Sequence, residues 1–122
     1  MRGTVTADDL KITLKHGEEG SLVCLNGRLN IDSSPSLRDR LLAILQGPSP
    51  KSIVVDLTEV SYIDVSGVAT LVEGLKLARN RQTVFCLKGL QGPPLHLFEV
   101  TGLLALFETN SGKAAYSEVK VF

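Results

Sequence analysis

The chain of 122 residues has no tryptophan, one methionine, two cysteines and only 5% aromatic residues. It has no excess of charge either, with 13 Lys and Arg against 13 Asp and Glu. Phosphate backbones and anionic lipid surfaces select a basic footprint, so this balance argues against nucleic acid as a partner. No apolar stretch approaches the roughly 20 residues that cross a bilayer. The amino terminus "MRGTVTADDLK" has no apolar signal core. The expectation is a cytoplasmic protein with no direct membrane insertion. Cys24 and Cys86 lie inside the apolar runs "LVCLNG" and "TVFCLKG" and read as buried free thiols. His16 and His96 are solitary and show no ligand spacing with either cysteine, so no metal site is expected.

What is present is the composition of a globular protein, with 43% hydrophobic and 21% charged residues over a length typical of one domain. Residues 1–122 are therefore read as a single domain. Leu10 to Leu14 and Leu22 to Leu25 are short apolar-rich runs joined by "KHGEEG", which suits a β-hairpin. In "RLNIDSSPSLRDRLLAILQGP", Ser34 is an N-cap candidate and Pro35 fits the first helical position. Leu37, Leu41, Ile44 and Leu45 share one helical face, and Gly47 and Pro48 end it. "SIVVDL", Ser52 to Leu57, is β-branched without alternation, the pattern of a strand covered on both faces, which by itself implies helices above and below.

A second helix is expected from Ser66 to about Asn80, burying Val68, Leu71, Val72, Leu75 and Ala78. Gly74 inside it points to close packing against a neighbour. "TVFCLKG" reads as another strand, and "PPLHLFEVTG" as a short helix closed by Gly102. "ALFE" suits a last short strand, and the tail from residue 109 onward mixes helical and strand-like signals. The order implies an α/β fold with a mainly parallel sheet and an antiparallel edge hairpin.

In such a sheet the strand-to-helix turns collect on one rim. "NIDSS", "YIDVSG" and "KGLQG" should thus bring Asp32, Asp64, Ser66 and Lys88 to a common edge. Ser66 can cap the second helix, with Asp64 adding charge beside its positive end. Chemistry finds little support at this rim. The nucleophile elbow needs glycines where Asp64 and Val68 stand. "GLQGPP" lacks the lysine and hydroxyl of a Walker loop, and the acidic pair of a response-regulator receiver is missing from "LVCLNG". No enzyme and no cofactor are expected.

"LNGRLNIDSSPSLRDRL", "SIVVDLTEVSYIDVSGVATLVEGL" and "LFEVTGLLALF", in that order and spacing, resemble the STAS domain of the anti-sigma factor antagonist family. The likeness covers about residues 8 to 108 and leaves the tail at 109–122 open. It implies a mixed β-sheet, an antiparallel edge hairpin followed by parallel strands, with helices packed mostly on one side. It also implies a non-enzymatic protein-binding module whose partner is an anti-sigma factor and serine kinase. The residues it assigns to partner binding are Asn30, Asp32, Ser33, Asp64, Val65, Ser66 and Gly67.

In that family the turn usually reads Asp-Ser-Ser-Gly or Asp-Ser-Thr-Gly, and the first hydroxyl is phosphorylated. Here Asp64, Ser66 and Gly67 match while Val65 replaces that hydroxyl, leaving Ser66 as the possible phosphorylation site. Asn30 stands where many relatives carry aspartate. One alternative is a STAS subunit of an Mla-like ABC phospholipid-transport complex that binds its ATPase. Another is small-anion binding at the rim by Lys88, Ser33 and the helix starts. Lys76, Arg79 and Arg81 near the end of the second helix can meet an acidic partner or form a solvated face.

Overall fold

A computed structural model of the chain describes residues 2–107 apart from 8, 19 and 49. Five strands form one sheet in chain order: β1 (Arg2–Ala7), β2 (Leu10–His16), β3 (Ser21–Leu29), β4 (Ser52–Ile63) and β5 (Val84–Lys88). Pairs β1–β2 and β2–β3 are antiparallel, while β3–β4 and β4–β5 are parallel. Helix α1 (Ser34–Gln46) makes the first parallel crossover and α2 (Val65–Asn80) the second, followed by α3 (Gly92–Thr101). The sheet is thus mixed, as the resemblance implied. Strand β1 was not anticipated, because "RGTVTA" carries no run of core-sized apolar residues.

Among the described residues the helices cover one face only, which corrects the two-sided cover inferred from "SIVVDL". Ile53, Val55 and Leu57 of β4 are buried, whereas Val54 and Asp56 between them are half-buried. The neighbouring β3 repeats the pattern, with Val23 and Leu25 buried and Leu22 and Cys24 half-buried. A β-branched run therefore marked strand propensity here and not double burial.

Strand β4 continues past Leu57 with two slips of register against β3, between Cys24 and Asn26 and again between Gly27 and Arg28. Each bulge moves one extra residue past the partner and resets which side chain points inward. The buried positions accordingly run Leu57, Val60 and Ile63, a spacing that conceals a strand from any search for alternation.

The core lies between this sheet face and the helices. Leu37, Leu41 and Leu45 of α1 are buried, as are Val68, Leu71, Leu75 and Ala78 of α2, while Ile44 and Val72 pack against them from the margin. A Cβ at Gly74 would come 2.9 Å from Leu41 Cδ1 and 3.1 Å from Phe85 Cζ, so the glycine lets α2 sit close to both. On the β5 side Phe107 completes an aromatic cluster, its ring centroid 6.3 Å from that of Phe85 and 5.8 Å from that of Phe98. Arg38 of α1 holds Glu73 of α2 with both carboxylate oxygens, at 2.9 and 3.1 Å, across an exposed surface where such pairs add little stability.

Several local expectations shift. Helix α1 is preceded by Ser33 as N-cap, with Ser34 already helical. Gly102 closes α3 in the left-handed conformation, φ 73°, with its N–H donating to the Glu99 carbonyl. Residues 104–107 form a helical turn in place of the strand read into "ALFE", and the tail from 109 lies outside the described residues. Cys24 is half-buried and Cys86 buried, and neither forms a disulfide. Burial, with the Asp56 carboxylate second, raises the Cys24 thiol above its ordinary pKa.

One-sided cover predicts unequal costs for truncation on the two faces. Ile53→Ala should lower stability by about 2–5 kcal/mol, and Leu22→Ala on the open face by less than half of that. Urea unfolding midpoints of the two variants provide the measurement.

Candidate functional site

The carboxyl ends of β3 and β4 lie side by side, with Leu29 paired to Ile63. What leaves each end is therefore adjacent: residues 30–33 after β3, and the Asp64 turn after β4. The sequence of each turn explains its shape. Asn30 folds its side chain back so that Oδ1 accepts from Asp32 N at 3.0 Å and Ser33 N at 3.1 Å, an arrangement that aspartate and asparagine make readily. Ser33 Oγ donates to the Arg28 carbonyl at 2.8 Å and accepts from Asn30 N at 3.0 Å. Ser34 Oγ donates to the Asn30 carbonyl at 2.6 Å. The loop is thus bonded internally before it meets anything else.

Asp64 joins this loop to the second turn. Its Oδ1 accepts from Gly67 N at 3.1 Å, which caps α2, and its Oδ2 accepts from Ile31 N at 3.0 Å, which fixes the neighbouring loop. Its own N–H donates to the Leu29 carbonyl at 3.2 Å. Asp64 is therefore the cap residue and the helix begins at Val65, correcting the expectation that Ser66 serves as cap. The Ser66 hydroxyl makes no hydrogen bond among the described residues, and the residue is half-buried. Gly67 is buried for a steric reason. A Cβ there would lie 2.7 Å from Ile63 Cγ1, 2.8 Å from Leu29 Cγ and 2.9 Å from the Leu29 carbonyl oxygen.

The structure thus brings Asn30, Asp32, Ser33, Asp64, Val65, Ser66 and Gly67 together, in two tiers. Asp32 and Val65 are exposed, whereas Ser33 is fully buried and Gly67 buried, so these last two shape the surface from behind. Lys88 does not join them. It pairs in register with Asp56, seven residues before the end of β4, roughly 20 Å from the turn at the usual strand rise. The third turn is left behind because β4 runs on beyond the end of β5.

One residue was missed. Ile31 is 68% exposed, as is Val65, and Tyr62 is 40% exposed. Ile31 and Val65 sit on the two segments that Asp64 ties together. The available signal was an isoleucine inside the otherwise polar turn "NIDSS", where nothing in the fold calls for an apolar side chain. Behind the turn, Arg28 lies over the Tyr62 ring at 4.3 Å from its centroid and reaches Asp9 at 3.7 Å. The rim carries carboxylates, a hydroxyl and exposed apolar groups without a histidine among its described residues, a set that suits recognition better than proton transfer.

Residues 12–108 match the family described as Mlab, STAS domain. Over 82 residues the chain is 34% identical to the anti-sigma-B factor antagonist of Listeria monocytogenes serovar 1/2a, covering 67% of this chain and 71% of that one. Its backbone is similar to that of an anti-sigma factor antagonist from Mycobacterium paratuberculosis, with TM-score 0.69, 19% identity and coverage of 88% and 94%. It is also similar to a sulfate transporter family protein from Wolinella succinogenes, with TM-score 0.64, 19% identity and coverage of 80% and 78%. At these identities the two structures speak to the fold alone.

Asp64→Ala should remove the cap and the tie at once. It is expected to cost about 1–2 kcal/mol and to speed hydrogen exchange at the Ile31 and Gly67 amides while the sheet amides stay protected. Unchanged exchange at Ile31 would refute the tie.

Proposed function

The chain belongs to the STAS domain family, and on that premise we propose that it is a non-enzymatic, cytoplasmic protein-binding module of the anti-sigma factor antagonist kind. It docks a partner-switching kinase or anti-sigma factor through the turn from Asp64 to Gly67 and the neighbouring loop. The observation that carries this reading is the pair Ile31 and Val65, each 68% exposed, borne on two segments locked to one carboxylate. Exposed aliphatic groups on a preorganised backbone lose little freedom on binding, so more of their burial appears as affinity. In this reading Ile31, Asp32, Val65 and Ser66 meet the partner. Asn30, Ser33, Asp64 and Gly67 hold them in place.

Val65 occupies the position of the family's phosphorylated hydroxyl and has no oxygen to modify. Docking is therefore proposed to be independent of any modification at that position. Ser66 is the hydroxyl of the turn whose oxygen is unspent, and a phosphate there would add nearly two negative charges within an apolar contact. The second reading, a STAS subunit bound to the ATPase of an Mla-like ABC phospholipid-transport complex, draws on the same valine, since that role needs no phosphate switch.

The two readings separate on capture from native lysate. A kinase or anti-sigma factor supports the first, and an ABC ATPase or permease supports the second. With either partner in hand, Val65→Asp and Ser66→Asp should each weaken affinity by about ten-fold or more, a loss on the order of 1.4 kcal/mol, with an unchanged thermal midpoint. Wild-type affinity in both variants would remove this rim from the interface.

A further inference from the structure

The opposite end of β3 holds a second feature, roughly 25 Å from the Asp64 turn along the strand. A cavity of about 410 Å³ opens between the β2–β3 hairpin and the last turns of α1, lined by residues that include Leu14, His16, Ser21, Arg40, Ile44 and Pro48. Arg40 lines this cavity, and its Nε is buried with no hydrogen-bond partner, the single such side-chain nitrogen or oxygen among the described residues. A guanidinium N–H withdrawn from water and left unpaired is costly, and a charged acceptor is the partner that best offsets the cost.

The described residues around it do not supply one. Among the described residues that line the cavity there is no carboxylate, and His16 Nδ1 lies 2.8 Å from Ser21 Oγ, which orients the imidazole at its edge. A second cavity of about 400 Å³ shares His16, Gly17 and Ser21 and is lined also by Lys15 and Lys88, again without a carboxylate among the described residues. The nearest acidic side chain of the hairpin turn to be described, Glu18, is exposed and lines neither cavity. The remaining wall of the first cavity is aliphatic.

We propose that this cavity binds a small organic anion, a carboxylate or phosphate carried on a short apolar body, with Arg40 holding the anionic group and Leu14, Ile44 and Pro48 enclosing the body. Its volume falls in the range of small-ligand sites. The site is separate from the docking rim and does not depend on how that rim is used.

The test uses hexanoate and n-hexyl phosphate as probes, with hexanol as the uncharged control, followed by amide chemical shifts on the full chain. Saturable shifts at His16, Ser21 and Arg40 at millimolar concentration are expected for one or both anions and not for hexanol. Whichever anion binds more tightly identifies the group the site takes. Arg40→Met keeps the aliphatic stem, removes the unpaired N–H and should weaken binding by about ten-fold or more. Arg40→Lys, which keeps charge but loses the planar fork, should bind several-fold less tightly than wild type and serves if the first variant folds poorly. The proposal is overturned if neither anion saturates, if hexanol binds as well, or if the variants bind as wild type does. It is also overturned if binding appears only in Glu18→Gln, since Arg40 would then be answered from within the hairpin.

Discussion

The rim depends on one carboxylate used twice. Asp64 takes the N–H of Gly67 with one oxygen and the N–H of Ile31 with the other, so the start of α2 and the loop before α1 cannot move independently. A negative charge at a helix start is favourable in itself. Here it also joins segments 33 residues apart in sequence. Gly67 is the complement of this tie, because a side chain there would push α2 away from Leu29 and lengthen the bonds that Asp64 makes. Asp64 and Gly67 therefore have an architectural account, while Val65 between them is exposed and Ser66 half-buried.

That division changes how the turn is understood. Valine at position 65 adds an exposed aliphatic group to the segment that Asp64 ties to Ile31. The rim therefore presents two exposed aliphatic side chains, Ile31 and Val65, on a backbone that one carboxylate holds in place.

Much of this was legible in the sequence. The helices announced themselves through spacing and through proline and glycine at their ends, and the pairing of the 30s loop with the Asp64 turn followed from parallel-strand geometry. What escaped notice had physical causes. The caps were misplaced by one or two residues because serine and aspartate compete for the same role, and only the backbone angles decide between them. Ile31 was overlooked because turn residues are judged by polarity. Lys88 was assigned to the rim on the assumption that strands β4 and β5 end together, whereas Ile63 lies well beyond the end of the pairing. Arg40 offered no signal at all, since an arginine on an amphipathic helix ordinarily reaches water.

The two bulges of β4 carry a consequence for how this chain tolerates insertion and deletion. Between Leu57 and Ile63 the strand is counted in threes, so losing a single residue would invert the phase of everything downstream. Ile63 would turn toward solvent and Asp64 toward the core, beyond reach of both amides it now serves. Length in this stretch is thus under a parity constraint, in which drift by one residue is fatal to the rim and compensated pairs are the only neutral path.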